Sequence, residues 1–486
     1  MSPFTSGSAI IFDVDYLPRV WNFTKLIFVL GLIIAFGVSS NLSAVDRELY
    51  KAYHAIETGQ NWEASLSFAQ AAKYIPWRDD LWEQAGIHAL LAGEHRIAKS
   101  YLERLEREQG LSPRGLIAFG DIANLEGNTR IAIGYWESAL SKADSYELHY
   151  RLADAYYKLK DFDKALVHQT KLVEVNPTDK DLNLRLGLIL AALDPKSAPA
   201  YLSHAVDLNP DLAERINPLI RSIRSSQRSD DSSYAYVSAG QSLASLEEWS
   251  LAEVALSKAT QLNPEFADAW AYSGEVRQQL GENGIDDLET ALHLDPDSIV
   301  ANTLMALYWQ RHEGYDLALV FLHTAANLDP LNPALQAEIG NTLGLMGNLS
   351  SAETHYQRAV DLAPSDPTYW QILANFYIKY ESNLKEQGLP AARQAVILAP
   401  EDPASLDAMA QIYLLMENPL IARRFLERAL TADRSYPPAH LHMGLVHIMN
   451  GDTLRAFQEL SLAKELAIPD SPTAELANRL LESHFP

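Results

Sequence analysis

Apolar and polar positions alternate on two scales along this chain. Within residues 331–364, LNPALQAEIGNTLGLMGNLSSAETHYQRAVDLAP, the positions Leu335, Ile339, Gly340 and Leu343 recur at helical spacing. Gly347-Asn348 interrupts the pattern, Ala352, Tyr356 and Ala359 resume it, and Pro364 closes it. This predicts two helices joined by a turn. Three small residues stand at fixed offsets: Gly340, Ala352 twelve on, and Ala359 seven further. Small residues at a helix–helix contact let the two backbones approach, while Tyr356 fills the space beside them.

The longer scale is the return of this ruler. Gly240/Ala252/Ala259, Ala306/Ala318/Ala325, Ala410/Ala422/Ala429 and Gly444/Ala456/Ala463 repeat it, as do Ala52/Ala64/Ala71 and Gly120/Ala132/Ala139. Gly86/Ala98 and Ala153/Ala165 keep the first spacing and lose the last small residue. The period is 34 residues or within two of it almost throughout. Self-similarity at that period predicts a helical solenoid, because one hairpin is too small to bury its own apolar face and must stack on the next.

The order of residues in each unit resembles the tetratricopeptide repeat: a large residue, Leu-Gly or its equivalent, an aromatic, then Ala, an aromatic, Ala and Pro. Residues 334–364 read that way, and Trp270, Trp309 and Trp370 sit near the heads of their own repeats. The resemblance covers roughly residues 45–469 and recurs about a dozen times, which makes it specific. It implies an all-α fold, a right-handed superhelical solenoid of tetratricopeptide hairpins whose work is to hold partners in a concave groove.

The ruler divides the chain. A first block of about five repeats spans residues 45–210, and a second of about seven spans 233–469. Between them, residues 211–232 are an insertion. Its first half is expected to be a short helix with Ile216, Leu219, Ile220 and Ile223, its second half a linker. Arg215, Arg221, Arg224 and Arg228 make it the basic cluster of an acidic chain. Residues 365–400 run two over the period, and the helix pair is expected to splay near Tyr380–Pro390. Residues 470–486 read as a capping helix.

The tail, residues 1–25, precedes an apolar run from Leu26 to Val38 that continues uncharged to Val45. Residues 26–45 are therefore expected to be a single transmembrane or signal-anchor helix, with a cleaved signal or a buried soluble helix as alternatives. The repeats would then be extracytoplasmic, or secreted if the segment is cleaved. In the tail, AIIFDVDYL resembles the first motif of haloacid-dehalogenase-type phosphatases, with Asp13 and Asp15 as the acidic pair. Tyr16-Leu17 replace the usual Gly-Thr, and no room remains for the rest of that fold, so an ordinary tail is the better reading.

Composition narrows function by exclusion. A formal charge of −24 argues against a nucleic-acid partner. The absence of cysteine removes disulfides, thiolate zinc sites and cysteine nucleophiles. No phosphate-binding loop, H-E-x-x-H, G-x-S-x-G or dinucleotide loop occurs, and no segment outside the repeats could fold into a catalytic domain. No catalytic residue, cofactor, metal or small-molecule substrate is expected. His440, His442 and His447 crowd the last repeat, but packing explains them better than metal binding. Trp62, Trp82, Trp136, Trp249, Trp270, Trp309 and Trp370 fall at packing positions and are expected in the core.

Candidate binding residues come from the resemblance, which places the inner face at the position after each Gly/Ala mark and its helical neighbours. In the second block Gln241, Asn341, Asn375 and Gln411 occupy that position, with Lys379 beside Asn375. Side-chain amides offer a donor and an acceptor each and can hold an extended peptide by its backbone. In the first block the equivalents are Tyr53, Ile87, Asp121, Asp154 and Leu188, with Tyr150 and Tyr157 nearby, a mix expected to suit a basic or amphipathic segment. The functional expectation is a membrane-tethered scaffold or assembly factor binding a protein or peptide. The alternatives are an accessory subunit of an envelope polysaccharide or secretion machinery and, less favoured, an enzyme hidden in the repeats.

Overall fold

Every regular element in the described part of the chain is helical. The computed structural model describes residues 42–108, 110–226 and 231–485, and no strand occurs among them. The reference hairpin consists of helices Pro333–Leu345 and Leu349–Leu362. Asn332 opens the first by accepting the Ala334 N–H, and Pro333 follows at the first helical position, where its missing N–H costs nothing. Gly347 takes a left-handed φ of 78° in the turn, and Asn348 caps the second helix by accepting the Ser351 N–H. The same hairpin recurs from residues 42–57 with Asn61–Tyr74 to Pro437–Met449 with Thr453–Leu466.

The small-residue ruler is where each hairpin closes. Ala52, Ala64, Ala71, Ala132, Ala139, Ala252, Ala259, Ala306, Ala318 and Ala325 are wholly buried, as are Ala410, Ala422, Ala429, Ala456 and Ala463. A large side chain sixteen residues after the mark fills the notch: Leu256 lies against Gly240, Tyr356 against Gly340 and Leu460 against Gly444. A β-carbon at Gly240 would stand 2.6 Å from Leu256 Cγ, so the notch leaves no room for one. Where the last small residue is missing, Leu105 and Leu172 take its place and are buried too.

The chain forms two compact units. The first runs to Leu193 and includes Ala200–Glu214; the second comprises Asp194–Pro199 and everything from Arg215 on. The insertion carries a helix, Ala213–Ser226, in which Ile216, Leu219, Ile220 and Ile223 are buried; Arg228 lies outside the described residues. At the other end, Pro472–His484 lays Leu476, Leu480 and Leu481 over Leu441 and Leu460 of the last hairpin.

Three expectations change. The two extra residues near Tyr380 do not pry the helices apart. They are absorbed in a π-helical turn, Leu384–Gly388, that runs directly into helix Leu389–Leu398. Gly388 makes this possible by bringing its backbone against Tyr377, where a β-carbon would sit 3.1 Å from Tyr377 Cβ. Of the seven tryptophans, Trp82 and Trp136 are buried, Trp62 is exposed, and the rest are half-buried. Trp270 and Trp370 use their ring N–H on the carbonyls of Pro264 and Pro364, each at 2.9 Å, and so tie the links between hairpins. Finally, residues 42–45 belong to the first repeat helix, with Val45 buried, so the solenoid begins inside the stretch 26–45. Residues 1–41, with Asp13, Asp15 and the apolar run, lie outside the described residues. Among the described residues no helix is long and apolar enough to cross a membrane.

Candidate functional site

The inner-face residues fall into two chemically different sets. In the second unit, Asn375 and Gln411 come from helices Pro367–Lys379 and Pro403–Leu415 of consecutive hairpins and line one cavity of about 290 Å³. Tyr436, Leu441 and His442 of the next hairpin complete its wall, and Pro472 and Leu476 of the capping helix close it. The Asn375 amide is exposed and makes no side-chain hydrogen bond to a described residue. Gln411 is held differently: its Nε2 donates to Asp407 Oδ2 at 2.9 Å, one helical turn back, which leaves its carbonyl oxygen for a ligand.

Asp407 is the fixed point of this cavity. It is buried, and its other oxygen, Oδ1, lies 2.7 Å from His442 Nδ1. A buried carboxylate is tolerated only with partners of this kind. Burial, followed by the negative charges of Asp407, Asp402 and Asp433, pushes the Tyr436 phenol well above its ordinary range, so the hydroxyl keeps its proton and can donate.

The other second-unit candidates stand apart. Asn341 is half-buried one hairpin earlier, also without a side-chain partner, and Gln241 is exposed at the start of the unit. Neither lines the cavity. Lys379 places its ammonium 5.3 Å from the Tyr380 ring centroid and is likewise outside it. The three histidines of the last repeat diverge: His440 uses Glu459 and the Arg434 carbonyl, His442 uses Asp407, and His447 faces Asp452 at 3.9 Å. No group of three metal-ligating side chains occurs among the described residues.

In the first unit, Tyr150, Leu125, Asp121 and Asp154 share a cavity of about 260 Å³ with Trp136 and Arg151. Its acids are already neutralised. Arg151 grips Asp121 with two parallel hydrogen bonds of 2.7 and 2.9 Å, and Trp136 Nε1 donates to the same carboxylate at 3.1 Å. Asp154 receives Lys158 at 2.7 Å and Arg185 at 3.4 Å. Arg185 also covers the Tyr157 ring at 4.3 Å, and Phe162 packs on that ring, so Tyr157 is a half-buried structural residue. The first groove therefore loses the acidic character expected of it and keeps the apolar one: Tyr53, Leu91, Leu125 and Tyr150 remain exposed.

Sequence reasoning missed Asp407, Tyr436 and His442 as cavity residues. The i,i+4 spacing of Asp407 and Gln411 was a usable signal. The pairing of Asp407 with His442, one repeat and one residue on, was not.

Residues 146–179 and 334–366 match models of the tetratricopeptide repeat. The chain therefore carries tetratricopeptide repeats, arranged as an all-α solenoid. It is 22% identical over 245 residues to anaphase-promoting complex subunit 3 of Schizosaccharomyces pombe, covering 47% of this chain and 37% of that protein. It is 27% identical over 117 residues to the general transcriptional corepressor trfA of Dictyostelium discoideum, covering 23% of this chain and 8% of that one. The chain thus spans well under two thirds of either relative. Among solved structures, a tetratricopeptide repeat protein from Parabacteroides merdae matches 52% of this chain and 99% of its own at 15% identity, with a TM-score of 0.43. The Cut9–Hcn1 hetero-tetramer of the anaphase-promoting complex matches 93% and 99% at 13% identity, with a TM-score of 0.39.

Proposed function

We propose that this protein is an interaction scaffold that holds a segment of a partner protein in the inner groove of its second unit, tethered to a membrane through the apolar residues ahead of the repeats. The carrying observation is the cavity in which Asn375 and Gln411 of consecutive hairpins converge, one amide unbonded and the other held by Asp407 with its carbonyl free. Two amides at that spacing suit the backbone of an extended or helical segment, while the half-buried Pro438 and Leu476 offer apolar contact to a side chain. Repeats of this kind act by holding, and the reading assigns no chemical step to them.

The test is a random-peptide display selection on the full chain, with affinities of the selected peptides measured for wild type and for Asn375→Ala/Gln411→Ala. Affinity in the double variant is expected to fall about tenfold or more, the loss of two well-placed hydrogen bonds. Peptides that bind both proteins equally would remove the groove from consideration. The tether is tested separately. Membrane fractionation should retain the full chain and release a chain beginning at residue 42; recovery of both in the soluble fraction would end that part of the reading.

A further inference from the structure

We infer that the segment held in the second unit is basic, a Lys/Arg-rich stretch of a partner protein; this rests on the groove reading above. The groove is the site, and charge selects its occupant. Residues 46–193 carry 22 acidic and 18 basic side chains, close to balance. Residues 233–419 carry 25 acidic and seven basic ones, and residues 420–486, which form the cavity's far wall, eight and seven. Among the described residues, Arg277–Asp287 and Arg311–Glu275 are ion pairs within that stretch, and His442 serves Asp407 from outside it. Seven cations cannot pair 25 carboxylates, whereas residues 46–193 are close to balance.

The surplus flanks the groove. By the resemblance to the tetratricopeptide repeat, the first helix of each hairpin lines the groove, which puts its two ends at the groove's two edges. On one edge Asp297, Asp361 and Glu401 sit in or beside the links that precede these helices, all exposed. On the other, Glu313, Glu381 and Glu417 sit in the turns that follow them, also exposed. A segment lying along the amides would run between two acidic edges, and the low-dielectric walls between them focus the field on it.

The turn edge carries a second mark. Seven residues after nearly every Gly/Ala mark the chain adopts a left-handed backbone. The first unit meets this with Gly59, Gly93 and Gly127, and once with Lys160. The second unit uses Gly281, Gly347 and Gly451 at three of them and places Glu247, Glu313, Glu381 and Glu417 at the other four, with φ between 47° and 63°. A residue with a β-carbon is disfavoured in that conformation, so folding alone would select glycine. Where the second unit departs from glycine it does so each time with glutamate, and its charge accounts for that choice. The amide-lined cavity and the two acidic edges select the same ligand.

The probe is a fluorescein-labelled Lys/Leu/Ala peptide about 15 residues long, with a Glu/Leu/Ala counterpart, read by anisotropy on the full chain. The basic peptide should bind and the acidic one should not. Its affinity should fall about tenfold between about 50 and about 300 mM salt, as the screening length shrinks to a few ångströms. Glu313→Gln/Glu381→Gln/Glu417→Gln should weaken it several-fold while leaving the thermal midpoint unchanged or higher, which separates charge loss from unfolding. Asn375→Ala/Gln411→Ala should weaken it at both salt concentrations. Failure of the basic peptide while display-selected neutral peptides bind and depend on Asn375 and Gln411 would overturn the charge inference and leave the groove reading standing. Basic-peptide binding indifferent to the groove substitutions would overturn both, because it would then be adhesion to an acidic surface.

Discussion

In the first unit Asp121 lies under the guanidinium of Arg151, and Asp154 between Lys158 and Arg185, so the groove wall is a ladder of closed ion pairs with Tyr150 and Leu125 exposed beside it. In the second, Asn341 and Asn375 carry unbonded amides, and the carboxylates at the groove edges face few cations. Both units are built from the same hairpin, closed by the same buried small residues. The hairpin needs only its closing face, and the groove face is left to vary. The comparison teaches that solenoid stability and ligand choice are held by different positions of one repeat, so they can be altered separately.

The largest predicted effect tests the closing face. Trp136 fills the notch at Gly120 and is buried, so Trp136→Ala should cost about 3–5 kcal/mol. Hydrogen exchange should locate the loss in helices Pro113–Leu125 and Thr129–Lys142. Unchanged protection there would mean that the notch is not what closes the hairpin.

Next comes the anchor of the second groove. Asp407→Asn keeps the shape but weakens the acceptor that Gln411 and His442 share, at a cost of about 1–3 kcal/mol. Denaturant unfolding should register that cost, and peptide affinity should fall with it because Gln411 is no longer held. If stability falls while affinity stays level, Gln411 does not need its anchor.

Smaller, and of opposite sign, are the turn glutamates. Glu313→Gly, Glu381→Gly and Glu417→Gly should each stabilise by about 0.5–1 kcal/mol, since glycine suits the left-handed backbone. Each should also weaken a basic ligand. A variant that gains stability at no loss of binding would separate the turns from the groove.

The smallest effect is a divergence with pH. Burial, then the neighbouring His149, lowers the His168 pKa below its ordinary 6.5. Folding therefore disfavours its proton, and helix Phe162–Val175 should lose protection as pH falls through 6.5. The hydrogen bond to Glu459 raises the His440 pKa above 6.5. That contribution is fully present below 6.5 and is lost as pH rises through the raised value, so helix Pro437–Met449 should gain protection on acidification. Protection factors, taken relative to the intrinsic exchange rate at each pH, should move in opposite directions in the two helices between about pH 8 and about pH 5.5, by about twofold or more. Parallel changes would contradict the assignment.

Most of the fold could be read without coordinates, and much less of the site. Gly340, Ala352 and Ala359 announce a hairpin because their spacing is local to one repeat. The candidates Asn375 and Gln411 were identifiable by repeat position, yet nothing in that position separated them from Gln241 and Asn341, which the cavity excludes. The acids at Asp121 and Asp154 read as ligand contacts from their repeat position, but Arg151 and Arg185, each about one repeat further on, pair with them. The uneven charge of residues 46–193 and 233–419 is present in composition taken stretch by stretch, and the averaged value hides it.

By itself, then, the sequence determined the hairpin, its period, the residues that close it and the charge each stretch carries. These follow from spacing within about 34 residues and from composition, both of which survive in an unfolded chain. Only the tertiary structure decided which inner-face side chains meet, which acids are already paired, and that two extra residues before Leu389 become a π-helical turn instead of a gap. Those outcomes depend on how one hairpin seats on the next. A shift of one helical residue, about 1.5 Å along the axis and a hundred degrees around it, would exchange every such partner while leaving the period untouched.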